Sequence, residues 1–318
     1  MNTEVIEILH GRTNPMIDPT LHAWGWEVPV YLFLGGVVAG LMILVPLLEL
    51  RTGDKSRAFQ HIPLLAAVLL SLGMGALFLD LEHPLHVYRF YMTFQPTSPM
   101  SWGSWILILV YPALVLGWAG GLADETRSWL SRLPGQGLLQ QLVDLGLAQR
   151  RTVLWATVAL GLGLGTYTGL LLGTMAARLQ WNTAVLGPLF LVSGVSTGAA
   201  LLLLLRGEKD RSHLLVRWDS MAIVVELALI AMMMIGFSTG GAGGHLAAAS
   251  LLGGPFTPWF WSLVVVAGLL VPLGLNLMEL RHRMAATLAS PLLVLVGGLS
   301  LRFVLVAAGQ ASSFALLH

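Results

Sequence analysis

The sequence predicts an all-α integral membrane protein with about eight transmembrane helices, and three observations predict it. Apolar residues make up 56% of the 318 and charged residues only 10%, against about 25% charge in an ordinary soluble domain. The apolar residues gather in runs near 26–50, 62–82, 100–123, 151–173, 183–206, 218–238, 259–280 and 290–311, each close to the ~20 residues that a helix needs to cross a bilayer. Basic residues alternate from loop to loop, as they do when successive loops lie on opposite sides of a membrane.

The elements follow in order. Residues 1–25 carry acids where a secretory signal needs a basic start and a clean apolar core. They read as a retained segment on the outer membrane surface. Residues 26–173 hold four spans, expected to form a first four-helix bundle, and residues 183–311 hold four more, expected to form a second. All of the 17 Lys+Arg except Arg12, Arg89, Arg178 and Arg302 fall in or beside the loops after spans 1, 3, 5 and 7. The positive-inside rule makes those loops cytoplasmic and places both termini outside, on the periplasmic face of a bacterial inner membrane. Residues 124–150 read as a cytoplasmic interfacial stretch, and 83–100 and 239–258 as outer loops. The Gly-rich "TGGAGGHLAAASLLGGPFTP" has neither a preceding strand nor a GKS/T tail, so it gives no nucleotide site.

Several chemistries are poorly supported. A net charge of +1 leaves no nucleic-acid footprint. Without cysteine the chain offers no disulfide and no thiolate ligands for an iron–sulfur cluster. The nine histidines fall at span ends or in loops, which argues against a bis-histidine haem within the bilayer.

Ionisable groups inside spans are expensive, so each is a functional candidate. Span 1 starts outside, which puts Glu27 and Tyr31 on one helix face near the outer surface. Span 2 runs outward and closes with "FLDLEHPLH", bringing Asp80, Glu82 and His83 to the same level. Span 3 opens there with Ser101 and Trp102, and Tyr167 falls in the outer half of span 4. Four segments thus deliver proton-exchanging or hydrogen-bonding groups to one depth. Simpler readings stand beside this one: Asp80 as a helix stop, Glu27 as a first-turn acid favoured by the helix dipole, Trp102 as part of an interfacial belt. Gly161, Gly165, Gly169 and Gly173 form a small-residue seam that lets a neighbouring helix approach, and Tyr167 points away from it. Gly36 and Gly40 give span 1 a shorter seam. Deeper or further inward lie Glu49, Ser196, Glu226, Glu279 and Arg302, which read either as a proton path or, for Glu226 and Arg302, as one structural ion pair.

The motifs "YLFLGGVVAG", "FLDLEHP", "SPMSWGSW", "YTGLLLG" and "RFVLVAAGQ", in this order across nearly the whole chain, resemble the NrfD/PsrC family, the membrane subunit of polysulfide-reductase-like respiratory complexes. Glu82 departs from the pattern, which favours glycine there. The resemblance implies a subunit that binds menaquinone or ubiquinone in the first bundle near the outer face and carries no haem or cluster of its own. It also implies a four-cluster ferredoxin-like iron–sulfur partner on the outer face, leading to a molybdopterin enzyme or a multihaem cytochrome.

On that footing Tyr167 holds one quinone oxygen, Glu27 or Asp80 accepts the proton, His83 relays it, and Tyr31, Ser101 and Trp102 complete the contacts. Two rivals remain. A secondary transporter predicts spans broken near the midplane, for which "VLGPLF" and "LLVPLGLN" are candidate breaks. A purely structural anchor predicts that the polar groups are dispensable.

Overall fold

The computed structural model describes residues 24–53, 60–81, 84–130, 137–175, 178–206, 213–283 and 285–312, and these are helical apart from short connections. Eight helices are long and apolar enough to span a membrane: α1 (Glu27–Thr52), α2 (Ile62–Leu79), α3 (Pro99–Gly120), α4 (Arg150–Gly173), α5 (Leu186–Arg206), α6 (His213–Thr239), α7 (Thr257–Leu280) and α8 (Ala289–Ala311).

Local chemistry sets their ends. Prolines stand in the first turns of α2 and α3, where no intrahelical N–H is needed. Gly53 closes α1 in the left-handed conformation (φ 65°), its N–H returning to the Glu49 carbonyl. α2 stops at Leu79, short of the expected residue 82, because Pro84 opens a separate one-turn 3₁₀ helix, Pro84–His86.

Two expectations about loops and breaks are corrected. The Gly-rich stretch between spans 6 and 7 is not all loop: Gly241–Leu252 is a helix, because the run "LAAASLL" is made mostly of strong helix formers. Nor are the candidate breaks broken. Pro188 sits in the first turn of α5, where a proline is tolerated. α7 runs through Pro272 without unwinding. A π-helical stretch over Phe260–Leu270 precedes that proline and widens the turns into which its ring would otherwise crowd. The sequence sign of a transporter with unwound midplane helices therefore dissolves.

Helices α1 to α4 close a four-membered ring, and α5 to α8 close another. The rings meet where α1 and α4 pack on α5, with α8 also touching α1. Glycine makes this junction. A Cβ added at Gly198 would stand 2.7 Å from the Gly40 backbone, and one at Gly194 2.7 Å from the Gly36 carbonyl oxygen, so α1 and α5 touch backbone to backbone. The α4 seam faces the same junction: Gly161 packs on Ala39 and Met42 of α1, and Gly165 on Leu191 of α5. Small residues replace the hydrophobic driving force that lipid cannot provide.

Candidate functional site at the face where α1 begins

α1 begins, α2 ends, α3 begins and α4 ends at one face of the first ring, and there a cavity of about 530 Å³ lies among them. Its walls are mostly apolar, with Val28, Leu32, Met74, Phe78, Leu107 and Leu172 among them. A few polar groups converge on it: the phenols of Tyr31, Tyr91 and Tyr167, the Asp80 carboxyl and Ser104. This pattern, an apolar hollow with few placed polar groups, is that of a small-molecule site.

Each tyrosine arrives from a different element. Tyr31 is one turn into α1, and Tyr167 comes from the C-terminal half of α4. Tyr91 stands on the short helix Tyr88–Met92 between α2 and α3. Gly103 of α3 makes room for Tyr167, since a Cβ there would overlap its ring. Asp80 caps α2, just outside the span. Burial pushes its carboxyl above the usual range, and the Glu27 carboxylate pushes it further. Burial, followed by Tyr111, likewise pushes the Tyr91 phenol up, so it remains a hydrogen-bond donor.

The sequence-derived residues divide. Tyr31, Tyr167 and Asp80 line the cavity. Glu27 does not; its carboxylate folds back over Gly25 and acts on the site through Asp80. Ser101 and Trp102 shape the loop instead. Ser101 accepts from the Gln95 N–H at 2.9 Å and donates to the Thr93 carbonyl at 3.2 Å. The Trp102 indole donates to the Pro96 carbonyl at 2.7 Å and packs edge-on against Phe94. Both stand near the cavity without lining it. His83 and Glu82 lie outside the described residues. Tyr91 and Trp24 are added to the lining, and loop segments carry both, where span depth gives no forecast.

The second ring holds a separate polar centre. Arg302 on α8 is fully buried. It donates to Ser193 Oγ and to the carbonyls of Gly298 (3.1 Å) and Phe190 (3.3 Å), and lies 4.9 Å from the Phe190 ring centroid. Glu226 on α6 is buried seven residues beyond Asp219 on the same helix, within electrostatic reach of Arg302 and Asp219. Below it, Ser196 donates to Asp219 at 2.9 Å, Asn276 donates to the other Asp219 oxygen at 2.7 Å, and Ser290 donates to Asn276 at 2.7 Å. Glu279 is buried one turn beyond Asn276 on α7.

Ser196, Glu226, Glu279 and Arg302 therefore share one ring. Glu49 is elsewhere: it pairs with Arg150, whose Nη1 also donates to the Gly117 carbonyl at 2.7 Å, tying α1, α3 and α4 at the opposite end. Asp219 is the residue missed. Two places after Arg217, it looks like part of a solvated helix end. Its signal is the seven-residue spacing to Glu226, which puts both acids on one helix face.

Comparison with known proteins agrees in extent. The family described as "Polysulphide reductase, NrfD" matches residues 15–314. Among relatives, the protein is 30% identical to the C subunit of polysulfide reductase from Wolinella succinogenes over 302 residues, covering 90% of this sequence and 94% of that one. It is 31% identical to protein NrfD of Escherichia coli, covering 90% and 95%, and 27% identical to the NrfD homolog of Haemophilus influenzae, covering 93% and 97%. With eight apolar helices and a match over nearly its whole length, the chain belongs to the polysulphide reductase NrfD family of multi-pass membrane proteins.

Proposed function

We propose that the protein is the quinone-reactive subunit of a respiratory membrane oxidoreductase, exchanging electrons between a menaquinone or ubiquinone pool and an iron–sulfur partner docked at the face where α1 begins. That partner leads in turn to a molybdopterin enzyme or a multihaem cytochrome. The basic loops at the opposite face support an orientation with this face outside, toward the periplasm of a bacterial inner membrane.

The observation that carries the proposal is the cavity itself. Its volume suits a quinone ring, its walls are apolar, and Tyr31, Tyr91, Tyr167 and Asp80 meet in it. Phe78 and Met100 belong to the same lining and are themselves exposed, so a membrane-dissolved substrate and its tail have an apolar approach where α2 ends and α3 begins.

A bound quinol gives up two electrons and two protons on oxidation. The residues present suit the proton side. The phenols orient two ring oxygens by hydrogen bonding, and Asp80, whose proton affinity is raised by burial and Glu27, accepts the two protons in turn, releasing the first to solution at that face before taking the second. Electrons pass to the iron–sulfur partner, since this sequence has no cysteine to hold a cluster of its own. Run backwards, the same groups serve quinone reduction.

The test uses the purified complex. Tyr167→Phe and Asp80→Asn should each lower quinol-linked electron transfer by roughly 10²-fold, the lower range for loss of a general acid–base group, with the complex still assembled. Unchanged quinol turnover in both would sink the assignment. A purely structural anchor predicts that result.

A second activity, proton movement through the second ring, is favoured by one observation. Arg302 donates to Ser193, a second buried line joins Ser196, Asp219, Asn276 and Ser290, and Glu226 is buried two turns beyond Asp219 on α6. Buried ionisable groups in a span are costly, and proton relays are among the roles that retain them.

A further inference from the structure

The last residues of α8 do something that the quinone reading does not use. Gln310 stands in the final turn of α8, in the second ring. Its side-chain amide engages the backbone of Trp24 twice: the Trp24 N–H donates to Oε1 at 2.9 Å, and Nε2 donates to the Trp24 carbonyl at 2.9 Å. Only one orientation of the amide satisfies both, so the pairing fixes side chain and backbone together. Trp24 lines the cavity in the first ring.

Further contacts secure the same place. The Trp181 ring stacks on Trp24 with centroids 5.2 Å apart and 27° between planes. Trp181 is itself fully buried, and its indole N–H donates to the Leu305 carbonyl of α8 at 2.8 Å. Gly309 makes this possible, because a Cβ there would overlap the Trp181 ring. Arg178 Nη1 donates to the carbonyls of Gln310 and Ser312, at 3.2 and 3.1 Å, holding the end of α8. The cavity wall before α1 is thus held from the other ring.

We infer that Gln310 is a positioning residue of the headgroup cavity: it acts through the Trp24 backbone to hold the indole as a cavity wall. This rests on the quinone reading of that cavity. It touches no substrate and moves no proton, so its loss loosens the wall and weakens binding more than it slows the chemistry. The closing "AGQ" of "RFVLVAAGQ" gains a physical reason: Gly309 admits Trp181, and Gln310 grips Trp24.

The experiment is a double-mutant cycle in the intact complex. Gln310→Ala removes both bonds, and Gln310→Met removes them while keeping the bulk. Either should raise KM for quinol about tenfold, the scale of two lost neutral hydrogen bonds, with kcat changed less than about twofold. The Kd of a water-soluble menaquinone analogue, read by quenching of tryptophan fluorescence, should rise in parallel. In a Trp24→Ala background Gln310→Met should add almost nothing, since the two act as one unit. An unchanged KM and Kd in the Met variant, or effects that simply multiply, would overturn the inference. If Tyr167→Phe impairs turnover while Gln310→Met does not, only the positioning role fails. If Tyr167→Phe and Asp80→Asn are both silent, the quinone reading fails instead.

Discussion

At the scale of single residues, Asp80 makes the sharpest claim. Burial first, and Glu27 second, raise its proton affinity. A base must be deprotonated to act, so quinol oxidation should rise with pH through an acid limb lying above the ordinary carboxylate range of about 4. Asp80→Asn should erase that limb. Glu27→Gln removes one source of repulsion, so the limb should move to lower pH without reaching the ordinary range, because burial remains. A pH profile of quinol-linked turnover for the three proteins checks this; a limb that survives Asp80→Asn refutes it. Asp80, Tyr31 and Tyr167 were legible in the sequence because a residue inside a span or at its end has a depth, and depth alone groups residues from separate spans. Tyr91 and Trp24 have no such coordinate. The short helix Tyr88–Met92 and the grip of Gln310 place them, and both depend on packing between distant segments. Ser101 and Trp102 show the converse: they have the right depth, but their polar atoms satisfy the loop before α3.

At the scale of elements, the spans were legible to within about five residues because bilayer thickness sets their length. What the sequence left undecided was which helices touch. The repeat of glycines in α4 foretells a close neighbour without saying whether it is α1 or α5, and the structure uses both. Backbone contact makes the junction unforgiving. A Cβ at Gly40 faces the Gly194 carbonyl and the Gly198 Cα, neither of which can rotate away, so α1 and α5 would have to part. Gly40→Ala should therefore destabilise the protein by about 1–3 kcal/mol, the usual scale for overpacking, seen as a lower Tm in detergent. Gly236 on α6 has open space around it. There the same change should be neutral or stabilise by up to about 1 kcal/mol, because alanine forfeits less backbone entropy in a helix. Equal Tm shifts at the two positions would show that the junction is not a tight contact.

At the scale of the whole molecule, one helix links the two centres. α8 carries Gln310 in its last turn beside the cavity and Arg302 two turns earlier in the buried charge cluster. The first ring thus presents a candidate redox site while the second presents a line of buried acids, with a single rigid element between them. Whether Glu226 and Arg302 carry protons or merely hold the ring together has a decisive test. A structural pair loses about 3–5 kcal/mol when one partner is removed, and recovers when the other is neutralised as well. A proton carrier behaves differently. In the complex reconstituted in vesicles, Glu226→Gln should leave quinol oxidation within a few-fold of wild type while the protons moved per electron fall. Adding Arg302→Gln should not bring them back. Asp219→Asn should give the same loss, because Asp219 stands seven residues before Glu226 on α6 and holds both Ser196 and Asn276 by hydrogen bonds. If instead Glu226→Gln lowers stability and turnover together, and the double variant restores both, the second ring is a scaffold. Redox-linked proton transfer then belongs to the cavity among α1 to α4 alone.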